Sequence, residues 1–314
     1  MEDPYAPLRR IANKVSNWGR WGDDDQVGTL NLITPAAIRR GAESIRTGQA
    51  FPLSIDFTAD GPQTGAYGRV NPLHYMAMIG RPFQPSSHQR GPRISDDVVV
   101  MNLQAATQWD SLAHVYYDGL LYNGVPAEEF VNWAGAARSG VDQLAKRPFV
   151  SRGVLLDLPR TLGVERLAPS TVVTAAMLEQ ALERSRVELE AGDILLVRTG
   201  HLLTFLEDCD REAFKWSPPG LGTDTVAWMR EHDLAAVAAD NNAVEVMPFE
   251  NPDVEMPLHM LCLRDMGMPL GEMFNLEALA EACAADGCYT FQFVGQPLPF
   301  VNGLGSPVNP VAIK

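Results

Sequence analysis

Cysteine is scarce in this sequence, with four residues at Cys209, Cys262, Cys283 and Cys288. None forms a CxxC pair, and four are too few for a disulfide framework. This argues against a disulfide-stapled secreted fold and against a cysteine zinc cluster. Reduced thiols that fill core space are expected instead. Basic residues are also in short supply, with 25 Lys and Arg against 39 Asp and Glu and a formal charge of −14. Nucleic acid is held by clustered cations, so it is an unfit partner for this chain. An acidic surface of this kind keeps a soluble protein dispersed. No apolar run approaches the roughly 18–20 residues of a membrane-spanning helix. The opening segment MEDPYAPLRRIANKVSNWGRWGDDD lacks the apolar core and small-residue cleavage site of a secretory signal. Repeats and low-complexity tracts are missing too, which removes solenoids and long disordered linkers. The expectation is a cytoplasmic protein with neither membrane nor nucleic acid as partner.

What is present is an ordinary globular composition, 46% hydrophobic and 20% charged, over 314 residues. Residues 1–35 are polar and rich in Trp and Gly, and read as an N-terminal arm; 36–314 read as one catalytic domain. A helix is predicted over Pro35–Thr47, with Pro at its start, and a strand over Gln49–Phe57. Residues 58–95, rich in Gly, Pro, Ser and His, read as a long irregular loop of the kind that forms a lid or pocket wall. His74 and His88 within it read as exposed loop histidines. The Val98-Val99-Val100-Met101 run predicts a buried strand over Asp96–Leu103. Further strands are expected at Gly153–Leu158, within Ala191–Gly200, at Leu234–Ala239 and at Cys288–Val294. Helices are expected at Thr174–Ala191, Thr223–His232 and Leu276–Asp286, the last closed by Gly287. Strands interleaved with helices indicate a single-domain α/β fold.

Two strings carry candidate chemistry. The first, Gln104–His114 (QAATQWDSLAH), follows a predicted strand, where rigid backbone meets open space. Asp110 and His114 are four apart and can face one cavity, as metal ligands or as an acid/base pair oriented by the carboxylate. A capped turn with a hydrogen-bonded histidine explains the same spacing. The second string, 257–279, contains His259 in an apolar stretch and Glu272 after Gly271. Each alone fits a satisfied core histidine and a glutamate near a helix start. Trp109, Tyr116 and Tyr117 fit either an aromatic substrate pocket or an aromatic core. The methionines between Met256 and Met273 fit either an adaptable pocket wall or core filling. Arg198 and His201 are read as a buried salt bridge and a surface histidine.

Together these residues resemble the cyclase family, which includes kynurenine formamidases and isatin hydrolases. Its motif H-x-G-T-H-x-D-x-P-x-H is matched by Thr107, Asp110 and His114. His259 and Glu272 are similar to a later His and Glu of the family. Gly192-Asp193 through Arg198-Thr199-Gly200 resembles another family segment, as does the closing Gly305-Ser306-Pro307. Trp21-Gly22-Asp23-Asp24 and Gly28-Thr29-Leu30-Asn31 resemble one branch. The departures are Gln104 and Gln108 in place of two metal-binding histidines, Ala106 for Gly and Leu112 for Pro. The resemblance implies a swivelling β/β/α domain with a mixed sheet and flanking helices, assembled as a homodimer or homotetramer. It implies one divalent metal ion, Zn²⁺ or Mn²⁺, at Asp110, His259 and Glu272, because a neutral amide is a weaker ligand than imidazole at the other site. The implied activity is hydrolysis of a C–N bond in a small amide, formamide or lactam, with His114 as acid/base and Gln104 and Gln108 orienting water or the oxyanion. Two alternatives stand beside it. One is a metal-independent cyclase or isomerase, in which the glutamines stabilise an oxyanion. The other is a non-catalytic binder of a small carbonyl compound.

Overall fold

The computed structural model describes residues 3–83 and 91–314. Its spine is a nine-stranded sheet. In chain order the strands used below are β1 (Ala50–Pro52), β2 (Leu73–Pro82), β3 (Arg93–Val100), β4 (Gln108–Asp110), β5 (Val150–Asp157), β6 (Ile194–Arg198), β7 (Ala236–Ala239), β8 (Leu270–Glu272), β9 (Thr290–Val294), β10 (Gly305–Pro307) and β11 (Val311–Ile313). The sheet order is β1-β11-β9-β5-β6-β7-β8-β4-β10. The four central strands, β5 to β8, run parallel, and every pairing outside them is antiparallel.

The parallel centre is buried on both faces, so its strands read as continuous apolar runs such as Val154-Leu155-Leu156 and Ile194-Leu195-Leu196-Val197. Each such side chain contributes about 1.5–3 kcal/mol by leaving water. Helices α1 (Pro35–Glu43) and α2 (Ala175–Ser185) pack against β5. Thr34 and Thr174 cap their first turns, each accepting a backbone N–H with its hydroxyl. α1 comes so close that a Cβ on Gly41 would lie 2.6 Å from the carbonyl carbon of Ser151. The predicted N-terminal arm is itself folded: a helix spans Ala6–Val15, and Leu8, Ala12, Val15, Leu30 and Ile33 join the main core.

Two expectations fail in one place. Residues 58–95 are not loop throughout, because β2 pairs with β3 as an antiparallel ribbon outside the main sheet. The valine run on β3 is therefore not a buried strand: Val98, Val99 and Val100 are exposed, as are Leu73, Tyr75, Met76 and Ile79 on β2. An apolar run marks a strand that covers something, and among the described residues nothing covers this one. His74 is exposed and bonds Asp97 across the ribbon at 2.7 Å. His88 lies outside the described residues.

Candidate active site

β4 is three residues long and buried throughout. Alternation along it sends Trp109 to one face and Gln108 and Asp110 to the other. Trp109 anchors the strand in the core, 5.1 Å from the ring of Phe149 and 5.3 Å from that of Phe274, with its N–H donated to the Gly295 carbonyl at 2.8 Å. Trp109 is thus core, not pocket wall, and Tyr117 points its hydroxyl at Asp265 instead of the cavity. Thr107 locks the strand in place, donating to the Met273 carbonyl at 2.6 Å and accepting from the Ile55 N–H. Gly271 pairs with Trp109 in register, and a Cβ there would lie 2.6 Å from that of Ala238. Only a glycine lets β8 lie this close, and its next residue, Glu272, is thereby set opposite Gln108.

The remaining member, His259, ends a short helical turn, Pro257–His259, that continues as a π-helix over Met260–Met266. Its Nε2 lies 3.4 Å from Glu272 Oε1 and 3.8 Å from Asp110 Oδ2. Donor atoms of Asp110, His259 and Glu272 all lie within 4.8 Å of one another, and all three residues are buried. Gln108 donates its side-chain amide to Glu272 Oε2 at 2.6 Å, with Asp110 Oδ1 at 3.5 Å from the same nitrogen. His114 Nε2 stands 3.8 Å from Asp110 Oδ1. Gln104 lies differently: its amide nitrogen packs at Gly305, and among the described residues no side-chain hydrogen bond joins it to the cluster.

Burial dominates the charge states here. It raises the Asp110 carboxyl well above its usual range, and the neighbouring Glu272 adds to the effect. Burial opposes charge on His259 as well, but Glu245 and Glu272 overcome it and lift its pKa to about 10. Burial pushes the Glu272 carboxyl up most strongly, but the hydrogen bond and charge of His259 together with the Arg69 cation hold it below its ordinary value. His114 goes the other way: burial and the Arg69 cation bring it down to about 3, so it is a neutral imidazole. Asp110 Oδ2, buried, has no hydrogen-bond partner. A proton on His259 bridging two carboxylates, beside an orphaned carboxylate oxygen, is a place shaped for positive charge. Two carboxylates and an imidazole suit a divalent ion of intermediate hardness, so the residues fit such a group.

Glu245 was not visible as a site residue in the sequence. Its Oε1 is bonded to His259 Nδ1, and its carboxylate accepts the backbone N–H groups of Leu258 and His259 at 3.2 and 3.3 Å. It fixes the ring so that Nε2 faces the carboxylates. A lone acid between two valines (Val244-Glu245-Val246), just past the end of β7, was the available signal. The cluster floors a cavity of about 280 Å³ walled by Tyr67, Arg69, His114, Lys215, Asn242 and Phe249. Larger clefts of about 530 and 600 Å³ lie elsewhere, around Arg46 and Arg152 and beside the ribbon at His74 and Val98. Neither gathers buried acid and imidazole groups; the second carries the exposed His74–Asp97 pair of the ribbon. Arg198 forms the expected buried salt bridge, with Asp157 at 2.9 Å and Glu277 at 2.7 Å. His201 is not a surface residue: it is buried, stacked on Phe214 and bonded to that residue's carbonyl at 3.0 Å.

The Cyclase family model matches residues 51–246, spanning β1 to just beyond β7 and including the whole 104–114 string. The chain belongs to the cyclase family. The chain superposes on a crystal structure described as a novel cyclase with a TM-score of 0.87 and 41% identity, over 96% of this chain and 99% of that one. Isatin hydrolase A from Ralstonia solanacearum shares the fold at TM-score 0.60 and 19% identity, over 88% and 94% of the two chains. A structure described as a potential metal-dependent hydrolase with cyclase activity does so at 0.52 and 12%, over 84% and 98%. No curated protein matches the cyclase in sequence. Among the described residues, no helix is long and apolar enough to cross a membrane.

Proposed function

We propose that this cyclase hydrolyses a C–N bond in a small amide, formamide or lactam. The observation that carries the reading is the convergence of Asp110, His259 and Glu272 on the floor of a cavity that also exposes a neutral His114. The isatin hydrolase fold neighbour supports the lactam end of this range. A divalent ion held by Asp110, His259 and Glu272 supplies Lewis acidity when bound, acidifying a water and polarising a carbonyl. The chain's own residues do the rest. Glu245 keeps His259 in the tautomer whose Nε2 faces the floor. His114, uncharged and within reach of Asp110, accepts a proton at a ring nitrogen and returns one to the departing nitrogen. Gln108 holds Glu272 in position with one amide N–H, and its side-chain oxygen, buried without a partner, is free to accept from a water or a substrate N–H. Gln104 sits against Gly305 of β10, the strand paired with the one that carries Asp110. Tyr67 and Phe249 on the wall favour a flat or aromatic substrate. Elemental analysis of the purified protein, followed by a chelator challenge of amide and lactam turnover, tests the reading. Metal-free protein with full turnover would sink it.

The Gln108–Glu272 bond favours a second reading, a metal-independent cyclase or isomerase. A protonated His259 between Glu245 and Glu272 already offsets part of the floor's negative charge without an ion, and chelation would then leave activity intact.

We also propose a homodimer or homotetramer in which the β2–β3 ribbon covers a second copy. An isolated two-stranded ribbon is marginal in water, yet this one carries exposed Leu73, Tyr75, Ile79 and Val98–Val100. The cleft at its base, lined by Phe57, Val98, Leu298 and Pro307, continues that apolar surface.

A further inference from the structure

We propose that Arg69 and Lys215 form a carboxylate-binding subsite on the cavity wall, so that the molecule processed at the floor carries a carboxylate of its own. This rests on the hydrolase reading for what happens next to the bound molecule, but not for its binding. The starting observation is a missing partner in a chain with a large excess of acid. Buried arginines elsewhere are paired: Arg198 with Asp157 and Glu277, Arg152 with Asp193, Arg264 with Asp265. Lys215 is only 8% exposed, yet among the described residues no carboxylate lies within ion-pair distance of it. Its ammonium instead lies 5.3 Å from the ring centre of Tyr67 and 5.9 Å from that of Trp216. Arg69, half-buried, has one hydrogen bond, to the neutral His114 ring at 3.3 Å, and likewise no ion pair. Both side chains line the cavity.

Taking an ammonium out of water without a counter-charge is costly. The cost registers in Lys215, whose pKa is lowered by burial and further by the Arg69 cation. A protein keeps two such cations together where a ligand completes the pairing. The floor answers them only at a distance: Glu272 raises the Lys215 pKa and the Arg69 cation lowers those of Asp110 and Glu272, yet among the described residues no floor carboxylate lies within ion-pair distance of either cation. His259 takes up Glu272 and Glu245 at closer range. Glu255 also touches the cavity, but it is exposed to solvent at the rim, with no ion pair to either cation. The planar guanidinium can grip a carboxylate with two parallel N–H donors while the ammonium adds a point charge. A third group specifies more: Asn242 Oδ1 is buried with no hydrogen-bond partner, while its nitrogen donates to the Lys215 carbonyl at 3.3 Å. That oxygen accepts from an N–H. A carboxylate and an N–H on one small molecule describe a carboxylated amide or lactam.

Benzoate and the isosteric neutral benzamide, titrated calorimetrically into the intact protein, separate charge recognition from shape. The wild type is expected to bind benzoate at least tenfold more tightly. The preference should shrink severalfold in Arg69→Met and in Lys215→Met, and vanish in the double variant. Arg69→Lys and Lys215→Arg, which keep the charges, should retain most of it. Equal binding of the two probes by the wild type would overturn the subsite. So would a benzoate preference that survives in a folded double variant, since the floor would then hold the carboxylate. If the methionine variants fail to fold, Arg69→Gln and Lys215→Gln take their place. Loss of the preference in the folded glutamine double variant, with benzamide binding unmoved, supports the subsite, and an unchanged preference overturns it. A turnover panel keeps the two proposals apart. Intact benzoate preference with no amide hydrolysed sinks the hydrolase alone, and neutral amides hydrolysed without anion preference sink the subsite alone.

Discussion

The floor and the wall of the cavity are made by different means. On the floor, Asp110 and Glu272 extend from paired strands and His259 from a helical turn that Glu245 ties down. Each group is buried and braced through backbone hydrogen bonds of its neighbours. On the wall, Arg69 follows a turn in which Tyr67 has a positive φ of 57°, and Lys215 rides a six-residue helix. Both reach the cavity on long rotatable stems. In the proposed reading, chemistry that depends on fractions of an ångström falls to the sheet and the braced helical turn, and recognition that must admit and release a ligand to loops and short elements. The contrast predicts that substitutions on the floor and at His114 destroy turnover, and that substitutions of Arg69 and Lys215 mainly change which molecules bind.

The largest effect is expected at Asp110. Asp110→Asn should remove bound metal and lower kcat/KM by about a thousandfold or more, measured by elemental analysis beside steady-state kinetics. A variant that retained both would erase the distinction between floor and wall. His114→Ala should cost about 10²–10⁴-fold in kcat with metal content unchanged, since proton transfer by a positioned side chain is worth that much. Loss of metal in this variant would move His114 from proton carrier to ligand. Glu245→Gln keeps the shape but weakens the hold on His259, and metal affinity should fall about 10–100-fold, read by competition with a chromophoric chelator. The smallest effect on catalysis is expected outside both regions. Val99→Asp on the ribbon should shift the protein to monomer in sedimentation velocity while altering Tm little, because Val99 is exposed in the single chain. An unchanged sedimentation coefficient would leave the ribbon without a partner.

How far this was readable in sequence follows the same division. The apolar runs of β5, β6 and β7 identify themselves, as do helices with Thr34 and Thr174 at their starts. Gln108 and Asp110 alternate around Trp109, so their shared face is implied once β4 is known to be a strand. His259 and Glu272, 13 residues apart, acquire meaning only beside the family motif, because each alone fits a core histidine or a helix-start acid. Glu245 was hidden, since a single acid among valines carries no periodic signal. Arg69 and Lys215 were hidden more deeply: they lie far apart in sequence, and what singles them out is a partner each lacks in space. The Val98–Val100 run misled for a physical reason. Apolar composition reports that a strand is covered, and does not say whether its own chain or another does the covering. His201 erred in the opposite sense, a polar residue that the Phe214 carbonyl and ring make comfortable inside.

The sheet order has a consequence for how the molecule comes into being. β11, the segment 311–313, is inserted between β1 and β9, and β10 flanks the strand bearing Asp110. During synthesis, β1 emerges some 260 residues before the strand that must pair with it. Until residues 305–313 are translated, the nascent chain carries its first strand without a sheet partner and β4 paired on one side alone. A chain cut after residue 304 would lack two strands near opposite ends of the sheet.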